Sequence, residues 1–437
     1  MGSYVPTTKE ERRQMLDFIG LASMDDLYAA VPASMKIDHV NLPDGKSELE
    51  VRGMMEEIAG KNRVFPTIFR GAGAYDHYIP SIVKSVVSKE TFLTAYTPYQ
   101  AEISQGILQS IFEFQTMICE LTGMDAANAS VYDGASAAAE AAAMCRERRR
   151  TKTLVSAAAH PMVIRTVQTY CEASGTEVVL VPVKDGKTDS EALVSLLDDS
   201  CACFYLQQPN YYGLIEDAAA LGELVHQKGA KYMMGINPIA AALLKTPAEC
   251  GADVAVGEGQ PLGMPLSFGG PYLGFMACTQ AMMRRLPGRI VGETADTDGE
   301  RAFVLTLQAR EQHIRREKAS SNICSNQALC AMTASVYLAA MGARGLREAA
   351  SQCCSKAHYA AAALKRAGFP LRYQGDFFHE FVTDSPVDAE TVLKKLEAYG
   401  ILGGLPIEGG ILWCVTEKNT RAQIDRLAEL LKEVSGK

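Results

Sequence analysis

The sequence predicts an α/β protein with a mainly parallel central sheet, helices on both of its faces, and a small C-terminal α+β domain. Between residues 151 and 250, continuous apolar runs of strand length alternate with helix-length segments. Such alternation is typical of parallel strands buried on both faces. After residue 368, shorter strand and helix signals alternate over about 70 residues, a length that is sufficient for a small second domain.

The elements are predicted in order along the chain. Residues 1–65 predict a helical N-terminal arm, because a threonine cap and an acidic first turn precede apolar residues at helical spacing. Residues 66–326 predict the large α/β domain, with a turn-rich connection over Arg284–Gly299. Residues 327–437 predict a long helix, broken near Gly342–Gly345, and the C-terminal domain. The strand and helix pairs expected between 151 and 250 are Thr153–His160 with Pro161–Ala173, Glu177–Val183 with Ser190–Leu197, Cys201–Pro209 with Glu216–Lys228, and Lys231–Asn237 with Pro238–Leu244.

The composition excludes several classes of protein. The 437 residues are 48% hydrophobic and 22% charged, which is ordinary for a folded globular protein. A net charge of −8 argues against nucleic acid and acidic membranes as partners, because both require a basic face. No apolar run approaches the ~18 residues of a membrane span, and the polar first residues do not resemble a signal peptide. We therefore expect a cytoplasmic protein.

The cysteines indicate neither a zinc site nor a disulfide framework. The chain has 12 of them, without a C-x-x-C pair and with irregular spacing. Zinc sites and disulfide-rich domains both require regular spacing of cysteines. We therefore expect reduced, mostly buried cysteines and no metal site.

A glycine-rich segment, Gly251–Gly274, predicts a buried strand followed by a loop of the kind found at active sites. Its only charged side chains are Asp253 and Glu258, and the first lysine after Lys245 is Lys318. Because an imine requires a lysine amine, this loop cannot form a Schiff base from its own residues. The spacing G-x-G-x-x-x-G also departs from the nucleotide-binding templates, which favours a plain tight-turn loop over a nucleotide site.

A second turn is compatible with two interpretations. The segment Asn128–Met144 predicts a short strand, a turn and an alanine-rich helix, with Gly134, Ala135 and Ser136 at the helix N-terminus. Free backbone N–H groups and the helix dipole can hold an anion there. Tight packing of small residues explains the same pattern, so both alternatives stay open.

Three polar segments are candidates for a pocket or an interface. TAYTPYQAEISQG, residues 94–106, suits either the wall of a polar-ligand pocket or a solvated turn. The run QAREQHIRREKASSNIC suits either the binding of a carboxylate or acidic surface or a salt-bridged solvated face. The histidine of RGAGAYDHYIP is either a packing or surface residue or a site residue. The candidate residues are His77, Tyr96, Tyr99, Gln100, Glu102, His313, Arg315 and Arg316.

These segments resemble the P-protein family of the glycine cleavage system, whose members have the fold of fold-type-I pyridoxal-phosphate enzymes, the aspartate aminotransferase architecture. The similar segments are FRGAGAYDHYIP, TAYTPYQAEISQG, DGASAAAEA and QAREQHIRREKASSNIC, and the last is the most specific. The resemblance extends over essentially the whole chain. P-proteins exist as one long chain of two homologous halves or as two subunits. This chain has the length of one half and is similar to the alpha chain of the split form, whose partner carries the cofactor.

The resemblance also implies where the cofactor-binding residues would lie. Enzymes of this fold need an aspartate that keeps the pyridine nitrogen protonated and a lysine that forms an imine with the cofactor. By resemblance these positions would fall at about Met234 and Gln260. A thioether cannot stabilise a pyridinium, and an amide cannot form an imine. We therefore expect no catalytic residue in this chain, a vestigial phosphate turn at Gly134–Ser136, and pyridoxal phosphate bound by the beta subunit.

The implied reaction is the decarboxylation of glycine on that partner and transfer of the aminomethyl group to the lipoyl arm of H-protein. The T- and L-proteins of the same system would be indirect partners. In an α2β2 assembly this chain would complete the pocket, with segment 94–106 in its wall, His77 nearby, and Arg315 or Arg316 steering glycine's carboxylate or the carrier. Two alternatives stay open: an independent pyridoxal-phosphate enzyme that uses Lys245, and a scaffold or regulatory subunit that does not shape the active site.

Overall fold

The computed structural model describes residues 6–37 and 40–436, which form two compact units that divide between Val64 and Phe65. The parts of the predicted arm at residues 1–5 and 38–39 lie outside the described residues. The first unit contains the helices α1 (Lys9–Ile19) and α2 (Glu48–Gly60) and single 3-10 turns at Met24–Tyr28 and Ala33–Met35. Thr8 and Glu11 form a capping box at the start of α1. The predicted helix start is therefore confirmed.

The second unit contains the remaining helices and all the strands that the structure describes. Its helices are α3 (Ser81–Val87), α4 (Glu90–Leu93), α5 (Gln105–Thr122), α6 (Gly134–Cys145), α7 (Pro161–Ala173), α8 (Ser190–Leu196), α9 (Ala218–Gln227), α10 (Gln312–Arg315), α11 (Ala328–Arg366), α12 (Ala389–Ala398) and α13 (Arg421–Ser435). Its strands are β1 (Thr67–Ile68), β2 (Ala126–Ala127), β3 (Lys152–Ser156), β4 (Val178–Val181), β5 (Val183–Lys184), β6 (Lys187–Thr188), β7 (Cys201–Gln208), β8 (Lys231–Ile236), β9 (Val254–Glu258), β10 (Gly274–Cys278), β11 (Ile290–Ala295), β12 (Arg301–Thr306), β13 (Glu380–Thr383), β14 (Ile401–Leu402), β15 (Leu405–Ile407) and β16 (Gly410–Cys414). The further division of this unit near residue 326 stays a prediction.

Seven strands form the central sheet, in the order β2-β10-β9-β8-β7-β3-β4. The strands β4, β3, β7, β8 and β9 are parallel to one another, and β10 is antiparallel to both of its neighbours, β9 and β2. Apolar side chains of α6 and α7 pack on one face of the sheet, and those of α5, α8, α9 and α11 pack on the other. The predicted mainly parallel sheet with helices on both faces is confirmed.

The long connecting helix is confirmed together with its break. Gly342 in α11 has φ +59° and ψ 176°, a non-helical conformation that interrupts the helix. Among the described residues, α11 is also the helix that is long and apolar enough to cross a membrane by length and composition alone. Its buried residues, such as Tyr337, Ala350 and Leu364, belong to the apolar cores of the unit, as expected for the core helix of a globular domain.

The C-terminal part packs around Trp413, which is fully buried. Strands β13, β16 and β15 form an antiparallel sheet, and apolar residues of α12 and α13 pack with it. The indole N–H of Trp413 donates to the hydroxyl of Thr383 at 2.9 Å. The predicted small α+β assembly of strands and helices is therefore present.

Three local predictions were wrong. Pro238–Leu244, predicted as a helix, contains a single 3-10 turn. Arg284–Gly299, predicted as a turn-rich connection, contains β11, which forms an antiparallel hairpin with β12. The second half of β11 is exposed and has no apolar pattern to signal a strand. Phe369–Tyr373, predicted as the first strand of the C-terminal domain, forms only an isolated bridge, between Leu371 and Thr383.

Candidate functional site

A cavity of about 410 Å³ lies at the carboxyl ends of β3, β7, β8 and β9. Its walls come from residues 72–75, the first turn of α6, the segments that follow β3 and β7, the ends of β8 and β9, and the start of β13. In open α/β sheets, ligands bind at the carboxyl ends of the parallel strands. The position of this cavity therefore makes it the candidate functional site.

The carboxylate of Glu258, at the end of β9, occupies the N-terminus of α6. It accepts hydrogen bonds from the backbone N–H groups of Gly134 at 3.0 Å, Gln260 at 2.9 Å and Leu273 at 3.0 Å. The N–H of Ser136 donates to the side chain of Asp133 at 2.7 Å. Burial raises the pKa of Glu258 to about 7, against the effect of the three N–H groups. The anion site predicted at Gly134, Ala135 and Ser136 is therefore filled by acidic side chains of this chain.

His160 lies in the wall of the cavity as a neutral imidazole. Its Nδ1 accepts from the N–H of Met162 at 3.1 Å, so Nε2 carries the proton and donates to the carbonyl of Ala72 at 2.9 Å. Burial lowers its pKa. Both ring nitrogens thus have protein partners, and the residue contributes no positive charge to the cavity.

Glu380, at the start of β13, connects the C-terminal sheet to the opposite wall. Its carboxylate accepts from the N–H of Ala72 at 2.6 Å and from the hydroxyl of Tyr75 at 2.8 Å. Burial raises the pKa of Glu380 to about 7. The pKa of Tyr75 is also raised, mainly by burial and to a smaller extent by the charge of Glu380. The cavity is therefore lined by two buried carboxyl groups that titrate near neutrality.

Two polar side chains of the cavity lack partners among the described residues. The Nδ2 of Asn237 has no hydrogen-bond acceptor, although its Oδ1 accepts from the N–H groups of Ile239 and Ala240. His379 is 2% exposed, and neither of its ring nitrogens is hydrogen-bonded. Burial and then the neighbouring His77 lower its pKa well below the ordinary value. Buried polar groups are seldom left unpaired in proteins, and among the described residues of the cavity wall Asn237 and His379 are the ones in which this occurs.

The two positions predicted to correspond to lost cofactor residues do not line the cavity. Met234 is fully buried in the core on the side of the sheet that α5 and α9 cover. Gln260 is fully buried as well, and its amide bridges the N–H of Tyr75 at 2.8 Å and the carbonyls of Tyr75 at 3.0 Å and Met264 at 2.8 Å. Gln260 therefore holds loop 72–75 against loop 259–264, while Asn237 occupies the end of β8 in the cavity.

The other predicted site residues lie outside the cavity, and the structure does not bring them together there. Tyr96 and Tyr99 of segment 94–106 are 82% and 63% exposed. The other predicted site residues of this segment and of the run QAREQHIRREKASSNIC are also exposed, namely Gln100, Glu102, His313, Arg315 and Arg316. Lys245 is exposed as well and is not part of the cavity wall. Their predicted roles at an interface remain proposals.

His77 is a buried packing residue, so the surface alternative is wrong. Its Nδ1 lies 2.7 Å from a carboxylate oxygen of Glu417, which also accepts from the thiol of Cys353 at 3.1 Å. The three residues present metal-ligand atoms within 4.8 Å of one another, at hydrogen-bond rather than metal-ligand spacing. Burial opposes ionisation of Glu417, but the hydrogen bonds, led by that of His77, lower its pKa to about 2. The cluster joins residues 77–78 to the C-terminal sheet.

The sequence analysis singled out Gly134, Ala135 and the Gly251–Gly274 loop with Glu258, but not the other residues that form the cavity. A signal existed for two of these, because Gln207 and Asn237, like Glu258, stand at the carboxyl end of a parallel strand, where ligands bind in this class of sheet. No sequence spacing could have placed Glu380 and His379 there. They come from the C-terminal strand β13, more than a hundred residues further along the chain.

The sheet order and the cavity at the carboxyl ends of its strands define the fold of the fold-type-I pyridoxal-phosphate enzymes. A NifS-like protein and a sphingosine-1-phosphate lyase from Burkholderia pseudomallei share this fold, the latter with a TM-score of 0.68 at 16% identity over 94% of both chains. The sequence profile of the glycine cleavage system P-protein matches residues 2–431. The chain belongs to this family.

Individual relatives agree over the full length of the chain. A probable subunit 1 of glycine dehydrogenase (decarboxylating) from Desulfitobacterium hafniense is 48% identical, covering 99% of this chain and 100% of that protein. The corresponding protein of Moorella thermoacetica is 50% identical over 99% of both. The crystal structure of a glycine decarboxylase P-protein in an inhibitor-bound form has a TM-score of 0.94 and 40% identity over 99% of this chain and 100% of that one.

Family and fold point to pyridoxal-phosphate-dependent chemistry, yet the residues of this cavity do not fit the cofactor. None of the described residues in its wall is a lysine, and covalent attachment requires a lysine amine. The end of β8 presents the amide of Asn237, and a carboxylate, Glu258, occupies the helix N-terminus where a phosphate would bind. A phosphate there would meet like charge in place of free N–H groups.

We expect replacement of Glu258 by glutamine to remove much of the pH dependence of stability. The folded-state pKa of about 7 lies above the ordinary value of 4.5, so between these values the folded chain holds a proton that the unfolded chain has released. The contribution of Glu258 to the free energy of unfolding is therefore fully present below pH 4.5 and falls by about 3 kcal/mol as the pH rises to 7. The free energy of unfolding, measured with denaturant, should fall less between pH 5 and pH 8 in Glu258→Gln than in the wild-type chain. Unchanged pH dependence in that variant would contradict the assignment, and Glu223→Gln, at an exposed position of α9, serves as control.

We also expect that restoring a lysine at position 260 does not create a cofactor site. Glutamine there accepts the N–H of Tyr75, whereas a lysine ammonium cannot accept and would be buried. Gln260→Lys should lower the free energy of unfolding by about 3 kcal/mol and give no imine absorbance with pyridoxal phosphate. Gln280→Lys, at an exposed position, should be neutral. A borohydride-sensitive band in Gln260→Lys would overturn the geometric interpretation.

Proposed function

We propose that this chain is the alpha subunit of a two-subunit glycine decarboxylase, and that its partner subunit carries the pyridoxal phosphate. The observation that carries the proposal is a cofactor-type cavity without a lysine in its wall, whose helix N-terminus is filled by Glu258. The name of the relatives, subunit 1 of glycine dehydrogenase (decarboxylating), supports the existence of a partner. In the assembly, glycine loses its carboxylate as carbon dioxide and the aminomethyl group passes to the lipoyl arm of H-protein.

The exposed apolar surface of this chain supports burial against a partner. In the first unit, Phe18 of α1 and Leu49 of α2 are 92% and 81% exposed, and in the second unit Phe268 is 91% exposed. Covering such large exposed apolar side chains with a partner removes apolar surface from water, which favours association. We propose an α2β2 assembly in the cytoplasm, because enzymes built as closed symmetric oligomers can form active sites between chains.

Segment 94–106 supplies the wall that we propose this chain adds to its partner's pocket. Tyr99 is exposed but held in place. Arg289, itself 5% exposed, donates to its hydroxyl at 3.3 Å and to Asn326 Oδ1 at 3.4 Å, with the guanidinium 5.5 Å from the tyrosine ring centroid. A fixed polar surface suits the positioning of a substrate better than a mobile turn does. Arg315 and Arg316 remain our candidates for steering glycine's carboxylate or the acidic carrier.

Glycine–carbon dioxide exchange with reconstituted components tests this proposal. We expect exchange in the presence of lipoylated H-protein only when this chain and its partner are combined, and no exchange by this chain alone. Lys245→Ala should leave the combined activity unchanged. Exchange by this chain alone that disappears in Lys245→Ala would establish the independent-enzyme alternative, and full activity of the partner alone would establish the scaffold alternative.

A further inference from the structure

We propose that the cavity at the carboxyl ends of β3, β7, β8 and β9 binds a small organic cation, and that Glu258 excludes phosphate esters from it. The inference deepens the proposed function, because it assigns a ligand class to a cavity that has no place for the cofactor. It rests on three features of the cavity: the side chain that fills the helix N-terminus, the charge of the walls, and the polar groups that lack partners.

Glu258 acts as an internal anion. Its carboxylate accepts the N–H of Gly134 and that of Asp133 accepts the N–H of Ser136, so two N–H groups of the first turn of α6 are already used by acidic side chains of this chain. The packing is close, because a Cβ added to Gly134 would lie 2.8 Å from the backbone nitrogen of Glu258. A phosphate could therefore enter only by displacing this side chain.

The acidic side chains of the walls carry negative charge above pH 7, because the pKa of Glu258 and that of Glu380 are each about 7. The carboxyl groups of Asp133, Glu258 and Glu380 line the cavity, and none of its described lining residues is a lysine or an arginine. The hydrogen bonds of His160 fix it in the neutral form. A cleft lined by one sign of charge concentrates ligands of the opposite sign, so the cavity favours a cation.

The unpartnered groups of the wall favour a ligand that can both accept and donate a hydrogen bond. The Nδ2 of Asn237 and one ring nitrogen of the neutral His379 are donors, the other ring nitrogen is an acceptor, and none of them has a partner among the described residues. Leaving buried polar groups unpaired costs free energy. Apolar surface from Val163, Ile236 and Tyr272 completes the wall. A volume of about 410 Å³ lies in the range of small-molecule sites. The geometry points to an organic ammonium compound with an apolar or aromatic body and a polar oxygen.

Two matched probes test the inference, namely pyridoxamine and pyridoxamine 5′-phosphate, which share an ammonium group and a ring and differ in the phosphate. Titration calorimetry with the purified full-length chain at pH 8 should show pyridoxamine binding at least about tenfold more tightly, a difference that corresponds to about 1.4 kcal/mol. In Glu258→Ala the preference should reverse, because the N–H of Gly134 at the start of α6 becomes free and the negative charge beside it is removed. Glu258→Gln keeps a hydrogen-bond acceptor of the same size but removes the charge. It should therefore fold like the wild-type chain and bind pyridoxamine more weakly.

The control is Glu223→Gln, which removes an exposed carboxylate of α9 far from the lining and should leave both affinities unchanged. Equal or tighter binding of the phosphate ester by the wild-type chain would overturn the inference, and so would failure of both probes to bind or an unchanged preference in Glu258→Ala. Noncovalent binding of the phosphate ester would leave the proposed function intact. A covalent pyridoxal phosphate adduct in this chain would overturn both.

Discussion

Replacement of Gly213 by alanine is expected to lower the free energy of unfolding by about 4 kcal/mol or more, a loss that only strong local conflicts produce. Gly213 follows β7 and has φ +85°, which alone costs a residue with a side chain about 1–2 kcal/mol. The added Cβ would also collide with the backbone carbonyl oxygen of Glu380. A backbone collision cannot be relieved by a change of rotamer, so β13 would have to move away from the cavity wall.

The matched control is Gly175→Ala. Gly175 also has a positive φ, +64°, but nothing lies within 4 Å of the Cβ that alanine would add. This variant should lose only about 1 kcal/mol, the cost of the backbone conformation. Chemical denaturation followed by circular dichroism gives both values. Equal losses in the two variants would show that the contact between the β7 loop and β13 is looser than the structure indicates.

Replacement of Tyr99 by alanine is expected to lower glycine–carbon dioxide exchange by about 10- to 100-fold without dissociating the subunits. The expected size follows from the cost of misplacing a substrate-positioning group, which reaches about 100-fold. Tyr99 is held by a buried arginine, Arg289, and removal of the ring also leaves that guanidinium with one partner fewer. Exchange assays and size-exclusion chromatography of the reconstituted assembly measure the two quantities separately.

Tyr399→Ala provides the comparison for this variant. Tyr399 is 51% exposed, close to the 63% of Tyr99, but it lies at the end of α12 in the C-terminal part. We expect wild-type exchange in Tyr399→Ala. Unchanged exchange in Tyr99→Ala with an intact assembly would favour the scaffold alternative, in which this chain binds its partner without shaping the pocket.

The fold followed closely from the sequence, because long apolar runs leave few alternatives. The runs that became β7 and β8 are buried over almost their whole length, and only a parallel sheet with two covered faces buries such strands. The break at Gly342 was also predictable from a glycine in a helical segment. The β11–β12 hairpin was not, because half of β11 is exposed and tertiary contacts rather than pattern determine its pairing.

The candidate site was much less predictable. The sequence drew attention to tyrosines and charged residues at 94–106 and 313–316, which are surface residues. It located the lost lysine at Gln260, which does not line the cavity and bridges loop 72–75 to loop 259–264. The cavity itself depends on long-range contacts. Glu258 meets Gly134 across 124 residues and Glu380 meets Ala72 across 308, and no local spacing encodes such contacts.

Reduction of the assembled enzyme with borohydride, followed by peptide mass mapping, tests the central claim most directly. Borohydride converts an imine between pyridoxal phosphate and a lysine into a stable adduct, which identifies the lysine that carries the cofactor. We predict adducts only on peptides of the partner subunit. An adduct on any lysine of this chain, Lys245 included, would contradict the account.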